Sequence, residues 1–306
     1  MHFSGTMHST ELLMKATKSA YHLLDTTVLP ILKQEQEEQL NPFSERESTH
    51  WWMVSCAADL VRDEGEAGRR LYALVKPHQG RCGAAFHDAL CLGLLDADKK
   101  APFNDPLLPG GLMPTWKSHF YDPDTGTNWL GETAPTAVTN GELYYHLAHA
   151  TWLNGDVERA GYYFGLSLHY MTDVTQPMHA ANFTWLSSRD FGYHTDFEVY
   201  AREARLSIAP PTGYHPLITG ADVRSYIAAV ARYIKDGYYA QVCRPEWTHT
   251  YKRDLMTTQL WDERVGSCLP ALFSDAIQLT AGYMLLWMKH LIRLAYDEKA
   301  AFAMNY

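Results

Sequence analysis

Three histidines and two acidic residues between positions 169 and 198 have the spacing that helices would bring together. His169 and Asp173 stand four residues apart, as do His194 and Glu198, and His179 lies between the two pairs. Residues i and i+4 share one face of an α-helix, so each pair would present an imidazole and a carboxylate toward one point. The spacing therefore predicts two helices joined by a turn that carries a further imidazole.

The same residues have the composition of a metal site. Several buried carboxylates without partners would cost several kcal/mol, so packing alone is a poor explanation for the cluster. Its donors are nitrogen and oxygen without cysteine, which suits zinc in an open, catalytic site. Asp105 and His119 add a second group of this type, fourteen residues apart in a Pro/Gly/Asp-rich stretch at 100–135. Loops of that length inside a domain are usually functional, so we predict a polynuclear metal site.

Helical periodicity dominates the chain, and strand-like alternation is almost absent, which predicts an all-α fold. We place helices near 9–25, 28–39, 49–63, 66–77, 83–97, 136–154, 157–174, 191–206, 220–239, 250–264 and 269–296. No internal repeat or linker divides the sequence. We therefore expect one helical domain over residues 1–306, with 1–45 as a possible N-terminal extension.

Composition excludes several classes of protein. The formal charge of −9 and the lack of a basic stripe argue against binding to nucleic acid. No apolar run reaches the roughly eighteen residues that a transmembrane helix needs. Five scattered cysteines without a C-x-x-C pair exclude a disulfide scaffold, and the first residues lack the pattern of an intact signal peptide.

Four stretches resemble the zinc-dependent phospholipase C family of bacteria. They read FGLSLHY at 164–170, DVTQPMHAANFT at 173–184, SHFYDPDTG at 118–126 and TAGYMLLW at 280–287, in the family's order. The resemblance implies a single multi-helix bundle with a polynuclear zinc site at the base of a cleft. It also implies a secreted or extracellular enzyme that meets phospholipid at a membrane or micelle surface, and we expect a monomer.

Carried over by position, the resemblance implies one zinc held by Asp105, His119 and His169, and a second held by His179, His194 and Glu198. Asp173 would bridge the first zinc to a third. The family holds that third zinc with an N-terminal Trp and a nearby His, whereas this chain begins with Met. His50, before a Trp-x-Val-x-x-Ala-x-Asp run, and His8 are the two candidates for the His, and we favour His50. The site would hold two or three zinc ions.

The implied reaction is hydrolysis of the glycerol-side phosphodiester of a phospholipid, giving diacylglycerol and a phosphorylated headgroup. Clustered zinc ions neutralise the phosphate and make a water molecule acidic enough to attack at neutral pH. The resemblance assigns Asp105 to take or orient the proton of that water. Trp116, three residues before His119, would face the choline of phosphatidylcholine, and phosphatidylethanolamine is the alternative.

Two other interpretations remain open at this stage. A zinc-dependent single-strand nuclease of the same architecture would use the same metals on another phosphodiester, although the acidic charge and the lack of an aromatic stacking platform speak against it. A non-catalytic helical protein that stores or senses metal is the third. The chain stops at Tyr306, so we expect no C-terminal membrane-binding β-sandwich and only weak haemolysis. Phe183, Trp185 and Leu186 are candidates for contact with lipid.

Overall fold

Helices form the regular structure of this computed structural model, which describes residues 48–77, 83–104, 115–220 and 222–304, with side chains as far as residue 99 in the second range and 293 in the last. The long helices are α1 (Thr49–Val61), α2 (Gly65–Val75), α3 (Ala84–Asn104), α4 (Ala137–Leu153), α5 (Val157–Asp173), α6 (Tyr193–Ala204), α7 (Val223–Ile234) and α8 (Leu269–Met304). Short α-helical turns lie at Ala240–Val242, Pro245–Thr248 and Thr258–Trp261, π-helical turns at Lys235–Tyr239 and Asp262–Gly266, and 3₁₀ turns at Lys117–His119, His179–Ala181, Trp185–Ser187, Arg205–Ser207 and Arg253–Leu255.

The all-α fold class is confirmed, since no strand occurs in those ranges and the pairing of Asp122 with Thr127 is an isolated bridge. Two predicted helices differ in extent. Helix α3 continues to Asn104, into the stretch that we predicted as a loop. The predicted helix at 250–264 is broken into short turns, because the Thr257 side chain caps a new turn by accepting from the Leu260 N–H. The predicted helices at 9–25 and 28–39 lie outside the described residues.

Helix α5 lies at the centre and packs against α1, α3, α4 and α8. Its crossing with α3 is unusually close, because glycines face the partner backbone on both helices. A Cβ atom on Gly93 would lie 2.1 Å from the Tyr162 carbonyl oxygen, and one on Gly165 would lie 2.2 Å from the Leu90 carbonyl oxygen. Only glycine permits such an approach. The contact brings the C-terminal half of α3 against the segment of α5 that carries His169.

Helix α8 covers the other side of the core. Trp287 is fully buried and stacks on Phe164 of α5, with ring centroids 4.2 Å apart. Leu269–Arg293 is long and apolar enough to cross a membrane, but 72% of its most apolar window is buried inside the protein, which is typical of a core helix. The described residues belong to one compact unit that begins at Ser48. The domain organisation of the whole chain, with its possible extension at 1–45, stays a prediction.

Candidate metal centre

Eight imidazoles and carboxylates from separate parts of the chain meet at the end of α5. They form three trios, in each of which one possible ligand atom per residue lies within 4.8 Å of the others. The trios are His50, His169 and Asp173; Asp98, His119 and His169; and His179, His194 and Glu198. His169 belongs to two trios, which makes the first two adjacent.

Local sequence places the members on α1 and α5. The Ser48 side chain accepts from the Trp51 N–H and thereby starts α1, so His50 lies in the first turn of that helix. His169 and Asp173 occupy the last turn of α5, with their side chains buried on the face that the i+4 spacing predicts. The other members of the trios lie on α3, on α6 and in two 3₁₀ turns, and these segments approach the end of α5.

The remaining trio depends on the connection from α5 to α6. Pro177 follows the end of α5, and the chain then turns through the 3₁₀ turn that begins at His179. Helix α6 begins after Gly192, whose φ of 107° lies in the region that favours glycine. His194 and Glu198 then lie one helical turn apart and face His179.

Asp173 is the central carboxylate of the site. One of its oxygens, Oδ2, accepts from His119 Nδ1 at 2.8 Å and lies 3.4 Å from His169 Nε2. The other, Oδ1, lies 3.5 Å from His179 Nδ1 and 3.9 Å from His50 Nε2. The side chain is only 4% exposed. A carboxylate in this position can serve two metal positions at once, one with each oxygen.

Asp98 joins the site from α3. Its Oδ1 atom lies 3.5 Å from His169 Nε2 and 3.8 Å from His119 Nδ1. The side chain of Asp98 is 46% exposed, whereas those of the two histidines are almost fully buried. Asp98 therefore borders the solvent side of this trio.

The third trio is built around two stacked imidazoles. The rings of His179 and His194 lie 4.9 Å apart at 16°, and Phe120 stacks on His179 from the other side at 4.5 Å. Glu198 Oε1 lies 3.2 Å from His179 Nε2 and 3.4 Å from His194 Nε2. The ring stack holds both imidazoles in the orientation that points them at Glu198.

Hydrogen bonds behind two of the imidazoles determine which nitrogen faces the site. His169 Nδ1 donates to the Leu94 carbonyl oxygen at 2.7 Å. His50 Nδ1 lies 2.6 Å from Thr172 Oγ1, whose own proton goes to the Leu168 carbonyl, so the imidazole is the donor. Both rings therefore present Nε2 to Asp173, the arrangement by which histidine ligands are commonly oriented toward metals.

The carboxylates of the site are ionised at neutral pH. Burial opposes the charge on Asp173, but His169, His119 and His179 together outweigh it and hold the pKa of Asp173 well below its usual range. Burial opposes the charge on Asp98 as well, but His169, His119 and His50 together lower the pKa of Asp98 to about 2. Burial also opposes ionisation of Glu198, yet His194 and its neighbours lower the pKa of that carboxyl. Ionised carboxylates that lie this close together attract cations.

The imidazoles divide into two groups. Burial alone would lower the pKa of His169 and His179, but the carboxylate of Asp173 and its acidic neighbours raise these values to about 9 and about 10. Burial dominates at His50 and His194 and lowers the pKa of each to about 4. At neutral pH, therefore, the metal-free site carries protons on His169 and His179 that compete with any metal ion.

The donor set fits zinc. Among the described residues, three buried imidazole nitrogens at this site make no hydrogen bond: His119 Nε2, His179 Nδ1 and His194 Nε2. Of these, His194 Nε2 faces Glu198 Oε1 at 3.4 Å within the third trio, so a cation bound there would satisfy a buried atom that otherwise has no partner. Imidazole nitrogens with ionised carboxylate oxygens and no thiolate are the ligands that catalytic zinc sites use. The arrangement has room for metal ions in each trio.

The structure brings together most of the ligands proposed from sequence: His50, His119, His169, Asp173, His179, His194 and Glu198. Asp105 lies outside the described residues, as does His8. Asp98 was missed by the sequence analysis, since it has no histidine four residues away and reaches the site only through the close packing of α3 on α5. Trp116 is half-buried and directly precedes the 3₁₀ turn that carries His119.

A cavity of about 810 Å³ beside α7 is a second possible site. Its polar groups are already used within the protein. The hydroxyls of Tyr233 and Tyr238 both donate to Asp275 Oδ2, at 2.8 and 2.7 Å, and Arg232 pairs with Asp124. No residue that lines this cavity belongs to the three trios. We therefore take the metal centre, rather than this cavity, as the candidate functional site.

Comparison with known proteins agrees with the site. The family described as zinc-dependent phospholipase C matches residues 49–247. A phospholipase C from Bacillus cereus is 31% identical over 245 residues, which cover 78% of this chain and 80% of the relative. One from Listeria monocytogenes is 28% identical over 251 residues, covering 81% and 80%.

A solved structure shows the same fold. The alpha toxin from Clostridium absonum superimposes with a TM-score of 0.61 at 21% identity over 81% of this chain. This chain spans 64% of the length of that toxin. The sequence matches extend across α1 to α7 and include every trio described above. The chain therefore belongs to the zinc-dependent phospholipase C family of hydrolases.

Proposed function

We propose that this protein hydrolyses the glycerol-side phosphodiester of membrane phospholipids to diacylglycerol and a phosphorylated headgroup. The observation that carries the proposal is the convergence of three trios of imidazoles and carboxylates around His169 and Asp173. Membership of the family supports the reaction class. Zinc bound there would neutralise the phosphate and activate water for attack. We propose two or three zinc ions, with His50 as the histidine of the third.

Side chains of the protein would then orient the residues that bind the metal ions. Asp173 holds His119, His169 and His179 in one orientation through both of its oxygens. For the proton of the attacking water we propose Asp105, fourteen residues before His119, as the resemblance implies. Asp98 is a poor base because its pKa of about 2 lies far below neutral pH. Its charge would attract cations without removing protons.

These two acids can be separated by experiment. We expect Asp105→Asn to remove one zinc and to lower kcat/KM by about 10²-fold or more, since it takes away both a ligand and a base. Asp98→Asn is expected to lower kcat/KM by less than about tenfold, because half-exposed ion pairs contribute little. Zinc counting on the purified variants and assay on phosphatidylcholine micelles measure both. If Asp98→Asn loses zinc and Asp105→Asn does not, Asp98 of α3 is the ligand and Asp105 is not.

Phosphatidylcholine is the proposed substrate, with phosphatidylethanolamine second. Trp116 has a φ of 45°, a left-handed conformation that costs a bulky residue about 1–3 kcal/mol and is found mainly at functional sites. The indole is held three residues before His119, and its face can attract a quaternary ammonium by about 0.5–2 kcal/mol. This placement supports a role for Trp116 at the choline.

Contact with a lipid surface is part of the proposal. Phe183 is buried and packs against Tyr193 and Tyr239, so the structure makes it an anchor of its loop rather than a lipid contact. Trp185 and Leu186 are partly exposed beside it and remain candidates. We also propose action outside the producing cell, as the resemblance to the family implies. The monomeric state stays a prediction.

The substrate class is tested by a direct comparison. We expect zinc-loaded protein to release phosphocholine from phosphatidylcholine micelles at a rate at least about 10²-fold above its rate on single-stranded DNA, since the acidic surface repels a polyanion. His169→Ala, measured in parallel, shows whether the turnover depends on the site. Faster cleavage of DNA than of lipid would replace the proposal by a nuclease.

A further inference from the structure

Gln176 lies between the two halves of the third trio. Its Nε2 donates to Glu198 Oε1 at 3.2 Å, and its Oε1 accepts from the backbone N–H of His179 at 3.2 Å and from that of Met178. One amide therefore contacts the carboxylate of one possible ligand and the backbone of another. We propose that Gln176 is a positioning residue, which holds Glu198 in register with His179 and so sets the affinity of the metal position there. The inference rests on the proposed function, which makes this trio a metal site.

Glu198 is the least restrained member of its trio. Its side chain is 39% exposed, whereas those of His179 and His194 are 10% exposed. The two imidazoles are held by their stack and by Phe120, but Glu198 stands on the solvent side of α6 with three rotatable bonds. Besides the two imidazoles, the Gln176 amide contacts the carboxylate of Glu198.

The two halves of the amide have separable tasks. Acceptance from two successive N–H groups shapes the turn after Pro177, and any acceptor of that length would do the same. Donation to Glu198 crosses 22 residues of sequence and is not needed for the turn. A carboxylate oxygen has two lone-pair sites, so Oε1 can accept from Gln176 and still face a cation. The donor half is thus the part of Gln176 that serves the metal position.

Loss of a group that orients a metal ligand typically lowers metal affinity by about 10–100-fold. We expect Gln176→Met, which keeps the length and removes the amide, to weaken one zinc by that factor and leave the others unchanged. In a Glu198→Gln background the same change is expected to weaken zinc by a smaller factor, because the partner of the donor half is already altered and only the loss of the acceptor half remains. A purely structural glutamine would weaken zinc equally in both backgrounds.

The experiment uses the full chain loaded with zinc and titrated with a chelator, with zinc per chain counted by mass spectrometry. The variants are Gln176→Met, Glu198→Gln and the double variant. Gln278→Met is the matched control, because Gln278 joins the loop at 213–215 by the same pair of bonds, accepting from the His215 N–H and donating to the Gly213 carbonyl. Unfolding temperatures of the metal-free variants report on folding.

The outcomes separate this inference from the function on which it rests. A non-additive loss of one zinc in Gln176→Met, absent from Gln278→Met, supports the inference. Wild-type zinc retention in Gln176→Met, additive effects in the double variant, or an equal loss in Gln278→Met overturns it, provided that Glu198→Gln itself weakens zinc. If Glu198→Gln leaves every zinc in place, the third trio is not a metal site, and the proposed metal assignment fails with it.

Discussion

Replacing Asp173 by asparagine is expected to remove at least one zinc and to lower kcat/KM on phosphatidylcholine by about 10²–10⁴-fold. The carboxylate contacts His119 and His169 with one oxygen and lies near His179 and His50 with the other. Breaking a buried charged pair costs about 3–5 kcal/mol, and each 1.36 kcal/mol is a factor of ten in rate. Asparagine keeps the shape of the side chain but supplies only one neutral acceptor.

Asp275→Asn is the matched control for this change. Asp275 also accepts two hydrogen bonds, from the hydroxyls of Tyr233 and Tyr238, but lies away from the metal centre. We expect it to retain the full zinc content and activity. Zinc content and activity near the wild-type level in Asp173→Asn would show that Asp173 is not a ligand and would require another carboxylate at the centre.

The affinity for the zinc ion at each of two positions, those of His169 and His179, is expected to fall about 10²-fold between pH 7 and pH 5. The pKa values of His169 and His179 are about 9 and about 10 in the metal-free protein, so both imidazoles are protonated throughout this range. Zinc binds the neutral form, and the two histidines belong to different trios, so each zinc ion displaces about one proton and each unit of falling pH weakens its binding about tenfold. The carboxylate of Asp98 adds nothing to this slope, since it stays ionised down to about pH 2.

Competition with a chelator at pH 7, 6 and 5 measures the slope directly. Calorimetry in buffers with different heats of ionisation should independently count about one proton released at pH 7 for each zinc ion bound at these two positions. The slope should decrease above about pH 9, where His169 loses its proton without zinc. Dialysis near pH 4 with chelator should then remove zinc and activity, and neutral zinc solution should restore both. A flat profile between pH 7 and pH 5 would contradict the assignment of these histidines.

Much of the fold follows from local pattern. The helical periodicity of the sequence located α1, α4 and α5 to within a few residues, because helix geometry is a property of short segments. The end of α3 and the break at 250–264 were predicted wrongly. At 250–264 the Thr257 side chain caps a new turn, and periodicity does not show such a competing cap.

Part of the candidate site could likewise be predicted from local sequence, and part of it could not. His169 with Asp173, and His194 with Glu198, could be paired from sequence because a helical turn has a fixed rise. That Asp173 also meets His119 was not derivable from spacing, since 54 residues separate them. Asp98 left no signal in the sequence, and Gln176, although it lies within the DVTQPMHAANFT stretch, has no spacing that would pair it with Glu198. Their roles arise from the crossing of α3 on α5 and from the turn after Pro177.

By itself, the sequence determined the helical character of this chain, the donor types of the metal centre and the family to which the chain belongs. These depend on residue identity and on distances of one helical turn, which the backbone geometry makes the same in any context. Only the tertiary structure decided which donors share a position and what orients them. Those relations depend on how closely helices approach, and at Gly93 and Gly165 that distance is set by the absence of a side chain.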